Sequence, residues 1–222
     1  MKMKYQKPAR LSDPGGDFSP EELNRILSKA DAELDWADFD RLFQGKMPAG
    51  TYEEVRYYIP LTCAYIENQR DACDFLEHFS IWIEDNYARL KEDGLIAPIV
   101  SAFQTLFRKA TSSFDLEYNG DHVVYPSACA SVESVLEAMF RLSPACPEFR
   151  PDALFTELKE NMSFVHAEWI VCISTELAML SPEKIRTVIS ASDYQRALAV
   201  IEENIDLILN DATAYDFWKE KI

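Results

Sequence analysis

A chain of 222 residues that is 48% apolar can hide about 70% of the surface it exposes when unfolded, so its core needs no metal or disulfide staple. Its 38 acidic and 22 basic side chains leave a net charge of −16; with Lys2, Lys4, Lys7 and Arg10 all in the first ten residues, the remainder carries −20. That balance repels nucleic acid and anionic membranes, and it favours basic proteins or cations as partners.

The opening Met-Lys-Met-Lys-Tyr-Gln-Lys-Pro-Ala-Arg has the charge of a signal peptide's first region, without the apolar stretch that must follow. With Pro8, Pro14, Gly15 and Gly16 close by, residues 1–17 read as a mobile basic tail and 18–222 as a single all-helical domain. Helix start signals recur from there. Ser19-Pro20-Glu21-Glu22 and Thr51-Tyr52-Glu53-Glu54 each set a hydroxyl N-cap three residues before a glutamate. Ser181-Pro182-Glu183 opens another helix, and Ser192 with Gln195 the next. Residues 52–67 are apolar nearly all round, which suits the middle of a bundle, with a kink or break expected at Pro60.

Over 71–92, Ala72, Phe75, Leu76, Phe79, Trp82, Ile83, Tyr87 and Leu90 recur at three and four, and Gly94 is placed to end that helix. Further helices are expected near 36–44, 97–112, 128–142 and 152–180, the last with a break near Asn161. The clearest stripe lies in 193–209, through Tyr194, Ala197, Leu198, Ile201, Ile205 and Ile208; Tyr215, Phe217 and Trp218 suit a short docking helix. Trp82, Phe79, Ile59, Ile201, Ile205 and Trp169 belong in the core. One stretch departs from helical spacing. Phe114-Asp-Leu-Glu-Tyr118 alternates, Asn119-Gly120 accepts positive φ, and His122-Val123-Val124-Tyr125 returns. The fold class is therefore mainly α, an irregular multi-helix bundle of eight or more helices with a short β-hairpin near 114–125.

The five cysteines (Cys63, Cys73, Cys129, Cys146, Cys172) are odd in number, widely spaced and never in a C-x-x-C, so they read as free, buried thiols in a reducing compartment. No run approaches the roughly 18 apolar residues of a membrane span. A cytoplasmic protein without membrane association is the expectation. His78 shares a helix flank with Asp71, Asp74 and Asp85, which makes Asp71, Asp74 and His78 the candidate metal ligands. A solvated helix edge outweighs that reading, because di-metal bundles use Glu-x-x-His on two helices and neither copy is present. His166-Ala167-Glu168 matches the H-x-E half of a zinc deaminase signature, but only Cys172 follows, so the match is one of chance. There is no G-x-S-x-G and no glycine-rich phosphate loop ahead of a Lys-Ser or Lys-Thr, and no cofactor is expected.

Residues 31–40 stand apart, setting Asp31, Glu33, Asp35, Asp38 and Asp40 around Leu34, Trp36 and Phe39 with no base among them. Acids interleaved with aromatics can steer and anchor a basic, partly apolar partner. The plainer reading makes Asp35 an N-cap, sets Asp38 at the positive end of the helix dipole and turns Trp36, Phe39 and Phe43 to the core. It carries more weight for the aromatics, and the acids stay available in either case. The functional expectation is a non-catalytic protein-binding module of the inhibitor, antidote or immunity type, with Asp31, Glu33, Asp35, Trp36, Asp38 and Asp40 meeting a basic protein. The alternatives are a metal-dependent helical enzyme with a site built from scattered histidines and carboxylates, and an adaptor whose charge only maintains solubility.

Overall fold

The computed structural model describes residues 5–44, 48–68, 75–119, 122–124, 126–177, 181–208 and 212–221. Among these the chain is mainly helical, with twelve α-helices and two single 3-10 turns. They are α1 (Pro20–Ser28), α2 (Trp36–Leu42), α3 (Tyr52–Val55), α4 (Ile59–Asn68), α5 (Leu76–Asp93), α6 (Ile96–Ala110), α7 (Ala128–Leu142), α8 (Pro151–Glu160), α9 (Phe164–Thr175), α10 (Pro182–Val188), α11 (Ala191–Asn204) and α12 (Ala212–Lys221). The chain divides into two compact units. The first draws on Met1–Gln69, Cys73–Leu106 and Ala138–Phe149, and the second on Phe107–Glu137 and Arg150–Ile222.

Local chemistry sets the helix ends. Ser19 Oγ accepts the Glu22 N–H at 3.2 Å, while Glu22 Oε2 accepts the Ser19 N–H at 2.9 Å, so two first-turn donors of α1 are satisfied reciprocally. Gly94 ends α5 with a φ of 73°, a left-handed turn that a side chain would strain. Pro60 does break the 52–67 stretch, and the break falls on its N-terminal side. Residues 56–58 form a turn, and α4 then begins with Pro60 in its first turn, where a missing N–H costs no ladder bond. The helix expected to open at Ser192 opens two residues earlier: Ser190 is the cap and Asp193 its reciprocal partner.

In the first unit, aromatic rings fill the interior. Phe43 lies 4.7 Å from Phe79 and 4.9 Å edge-on from Trp82, and Phe79 meets Phe103 at 6.3 Å. Such edge contacts add about 0.5–1.5 kcal/mol each beyond area burial. Residues 5–17, expected as a tail, are irregular in conformation and contact the unit at several points. Leu11 is buried, the Ser12 N–H and Oγ both reach Glu54, and Lys7 donates to the Lys29 carbonyl. Leu11 also explains Gly50: a Cβ there would meet Val55 Cγ1 at 2.8 Å and Leu11 Cδ2 at 3.1 Å, at a φ of 119°.

In the second unit α9 is the central helix. Residues 167–173 are all buried, and α8, α10 and α11 pack round it. Phe114 sits 5.1 Å edge-on from Trp169 and 5.8 Å from Trp218, and the Trp169 Nε1–H donates to the Ser113 carbonyl at 2.9 Å. The hairpin expected over 114–125 is not borne out at that extent. Residues 113–116 are irregular, and the pairing is confined to Glu117–Asn119 against His122–Val124. A two-stranded ribbon of this length has too little pairing to organise its flanks. Residues 120, 121 and 125 of that expectation lie outside the described residues.

Candidate functional site

The acidic segment is built around α2, and its five carboxylates range from the buried Asp38 to the exposed Glu33 and Asp35. Asp35 caps α2, Oδ1 accepting the N–H groups of Ala37 at 3.0 Å and Asp38 at 3.2 Å. Asp38 is fully buried between two cations: Arg25 donates to Oδ1 at 3.1 Å, and Lys29 donates to Oδ2. A buried carboxylate is tolerable only with such partners, and the Asp38 bond raises the Lys29 ammonium above its usual range. Asp31 accepts the Tyr57 hydroxyl at 2.6 Å and faces Lys7 at 3.6 Å. Burial and that carboxylate together push the Tyr57 hydroxyl up to about 12. Glu33 caps the 3-10 turn Asp31–Glu33 by accepting the Ala30 N–H at 2.9 Å, and Asp40 Oδ1 lies 2.8 Å from His78 Nδ1.

The aromatics divide. Phe39 and Phe43 are in the core at 2% and 0% exposure, as their spacing predicts. Trp36 is not. At 55% it is the one large hydrophobic side chain left exposed among the described residues. The correction has a geometric reason. Trp36 is the first residue of a seven-residue helix, and helical side chains lean toward the N-terminus. Its indole therefore projects beyond the turn that seats Phe39. Glu33 and Asp35 are exposed beside it in sequence.

Of the candidate metal ligands, Asp71 and Asp74 lie outside the described residues, and His78 faces Asp40. Among the described residues no three His, Cys, Asp or Glu side chains converge on a point where an ion could sit. The His166-Ala167-Glu168 triplet is no single site either. His166 Nδ1 lies 2.9 Å from the Asn161 carbonyl, whereas Glu168 Oε1 accepts the Trp218 Nε1–H at 2.8 Å.

A polar seam along α9 went unread in the sequence. Glu168, Cys172 and Glu176 recur at four along the helix and its C-cap. Glu168 is 4% exposed, and burial pushes its carboxyl up to about 8 against the lowering effect of the Trp218 N–H. It therefore holds its proton at neutral pH. The Cys172 Sγ lies 3.8 Å from the Cys129 Sγ, in a hydrogen-bonded thiol pair, and Glu176 pairs with Lys221. Cys63 and Cys146 have no thiol beside them among the described residues, and burial pushes their thiols up to about 12 and about 11.

Open clefts lie on the surface of each unit. One of about 540 Å³ is lined by Thr175, Ile185, Arg186, Ile189 and Tyr194 in the second unit. Another, of about 390 Å³, is lined by Lys91, Ile96, Val100, Gln104 and Glu148 in the first. Neither lining contains a histidine, a cysteine or a pair of carboxylates, so neither sets a nucleophile beside a base. No helix among the described residues is long and apolar enough to cross a membrane. Comparison of the chain with protein-family models, with curated proteins and with solved structures gave no match.

Proposed function

We propose that this chain is a non-catalytic protein-binding module of the inhibitor, antidote or immunity type, and that it docks a basic protein through the surface around Trp36. The observation that carries the reading is the exposure of Trp36, with Glu33 and Asp35 exposed just before it in the chain. An exposed indole has no stabilising reason to face water, and a tryptophan among acids is the composition of an interface anchor with steering charge around it. Asp31, Asp38 and Asp40 are less exposed and hold the segment in place through Tyr57, Arg25 and His78. Asp35 also pairs with Lys29, at 3.0 Å, yet keeps an exposed side, and the charge of all of them adds to the field. The four described cysteines are free, which supports a reducing compartment such as the cytoplasm. The net charge argues against nucleic acid as the target.

Replacing all five acids at once would remove the α2 cap and the buried Arg25–Asp38–Lys29 cluster, confounding binding with folding. Trp36→Ala is the cleaner variant, because substitutions at exposed positions change stability by about 0.5 kcal/mol or less. The protein and this variant, with matched melting temperatures, are immobilised and exposed to lysate at low salt, and retained proteins are identified by mass spectrometry. The expected result is a basic protein held by the parent, lost from the variant and released by salt. Identical retention on both surfaces would remove Trp36 from the interface, and turnover of a small molecule by the purified chain would overturn the module reading itself.

A further inference from the structure

We propose that Cys129 and Cys172 form a peroxide-reactive dithiol that closes to an intramolecular disulfide. The two sulfurs are 3.8 Å apart although 43 residues separate them in sequence. A disulfide needs about 2.0 Å, a closure of under 2 Å that two χ1 rotations can share. Their environments differ in a way that assigns roles. Cys129 is partly exposed in the first turn of α7, so a small oxidant reaches it, and the helix dipole there favours thiolate. Cys172 is 1% exposed on α9, shielded from solvent but not from Cys129.

Charge agrees with that assignment. The hydrogen bond from the Cys172 thiol lowers Cys129 below the usual thiol range, against burial and the nearby Glu133 carboxylate. Cys172 is raised, by that same bond, by burial and by Glu176, with Lys221 opposing. Cys129 is thus the attacking thiolate and Cys172 the resolving thiol.

The chemistry balances with a hydroperoxide as oxidant. The Cys129 thiolate attacks the terminal peroxide oxygen, and an S–O bond forms as the O–O bond breaks. The departing alkoxide, or hydroxide from hydrogen peroxide, takes a proton from solvent and leaves as an alcohol or as water. Cys129 is then a sulfenic acid. The Cys172 sulfur attacks the Cys129 sulfur, the S–S bond forms and the S–O bond breaks. The departing hydroxide takes the Cys172 proton and leaves as water. Two thiols lose two electrons in total, and one peroxide gains them.

The test uses the full reduced chain and one equivalent of hydrogen peroxide, followed by alkylation and non-reducing tryptic mass spectrometry. Cleavage at Lys109, Arg141, Lys159 and Lys184 isolates each cysteine alone, in peptides 110–141 and 160–184. The expected product is those two peptides joined with the loss of two hydrogens, while the buried Cys63 and Cys146 are alkylated only after unfolding. In Cys172→Ala the reaction should stop at a sulfenic acid on Cys129 that dimedone traps, and in Cys129→Ala peptide 160–184 should stay reduced. Oxidation of Cys129 to the sulfinic acid without the cross-link in the parent chain would overturn the proposal. So would a cross-link that joins a different pair, or two thiols left intact while other cysteines react.

Discussion

Tyr57 and Tyr58 are neighbours in sequence, yet their hydroxyls are satisfied differently. Tyr57 donates to Asp31 at 2.6 Å, a charge-assisted bond of the stronger kind. Tyr58 is fully buried and its hydroxyl has no hydrogen-bond partner among the described residues. An unmade bond on a buried polar atom costs about 1–3 kcal/mol, and removing the atom recovers part of that. Tyr58→Phe should therefore leave the urea midpoint unchanged or raise it. Tyr57→Phe should lower stability by about 1.5–3 kcal/mol, because it leaves a carboxylate short of its donor. Loss of stability in Tyr58→Phe comparable to that in Tyr57→Phe would show that the Tyr58 hydroxyl has a partner after all.

Helix α9 carries a carboxyl where the rest of its buried stretch is apolar, and that makes its stability depend on pH. Folded Glu168 keeps its proton up to about pH 8, whereas its ordinary value is 4.5. Between those values the folded chain binds more protons than the unfolded one, so stability falls as pH rises through that window and levels off above it. The size is of the order of a few kcal/mol. Glu168→Gln is neutral throughout and still offers an acceptor to Trp218, so urea midpoints measured at about pH 5 and about pH 9 should differ much less in the variant than in the parent. Equal slopes would mean that other groups carry the dependence. Spacing made most helices legible: α7 has the bounds its periodicity predicts, and Phe79, Trp82, Ile201 and Trp169 are buried as expected. What spacing could not convey is what lies beyond an element's end or across the fold. Trp36 has the period of Phe39 and Phe43, but as the first residue of α2 it has no earlier turn of that helix to cover it. Cys129 and Cys172 come together only through packing of α7 against α9, which no local pattern encodes.

Negative charge is shared by both compact units rather than confined to residues 31–40. That distribution sets the sign of the salt response of the whole chain. Most of the ion pairs have at least one side chain more than a third exposed, as in Arg89–Glu53, Arg108–Glu157 and Arg150–Asp152. Exposed pairs contribute about 0–1 kcal/mol each, so screening them forfeits little. The self-repulsion of a chain at −16 acts between many more charges and opposes the compact state. Raising sodium chloride from about 0.01 M to about 0.15 M shortens the Debye length from about 30 Å to about 8 Å, which removes much of that repulsion. The melting temperature at neutral pH should therefore rise with salt. The same addition should slow capture of the proposed basic partner, since the field that opposes the compact state is also the field that would steer such an encounter. Trp36→Ala should leave the salt response of melting unchanged, because the indole carries no charge. A melting temperature that falls with salt would show that local ion pairs, with the buried Arg25–Asp38–Lys29 cluster foremost, outweigh the net charge, and the steering argument would lose its premise.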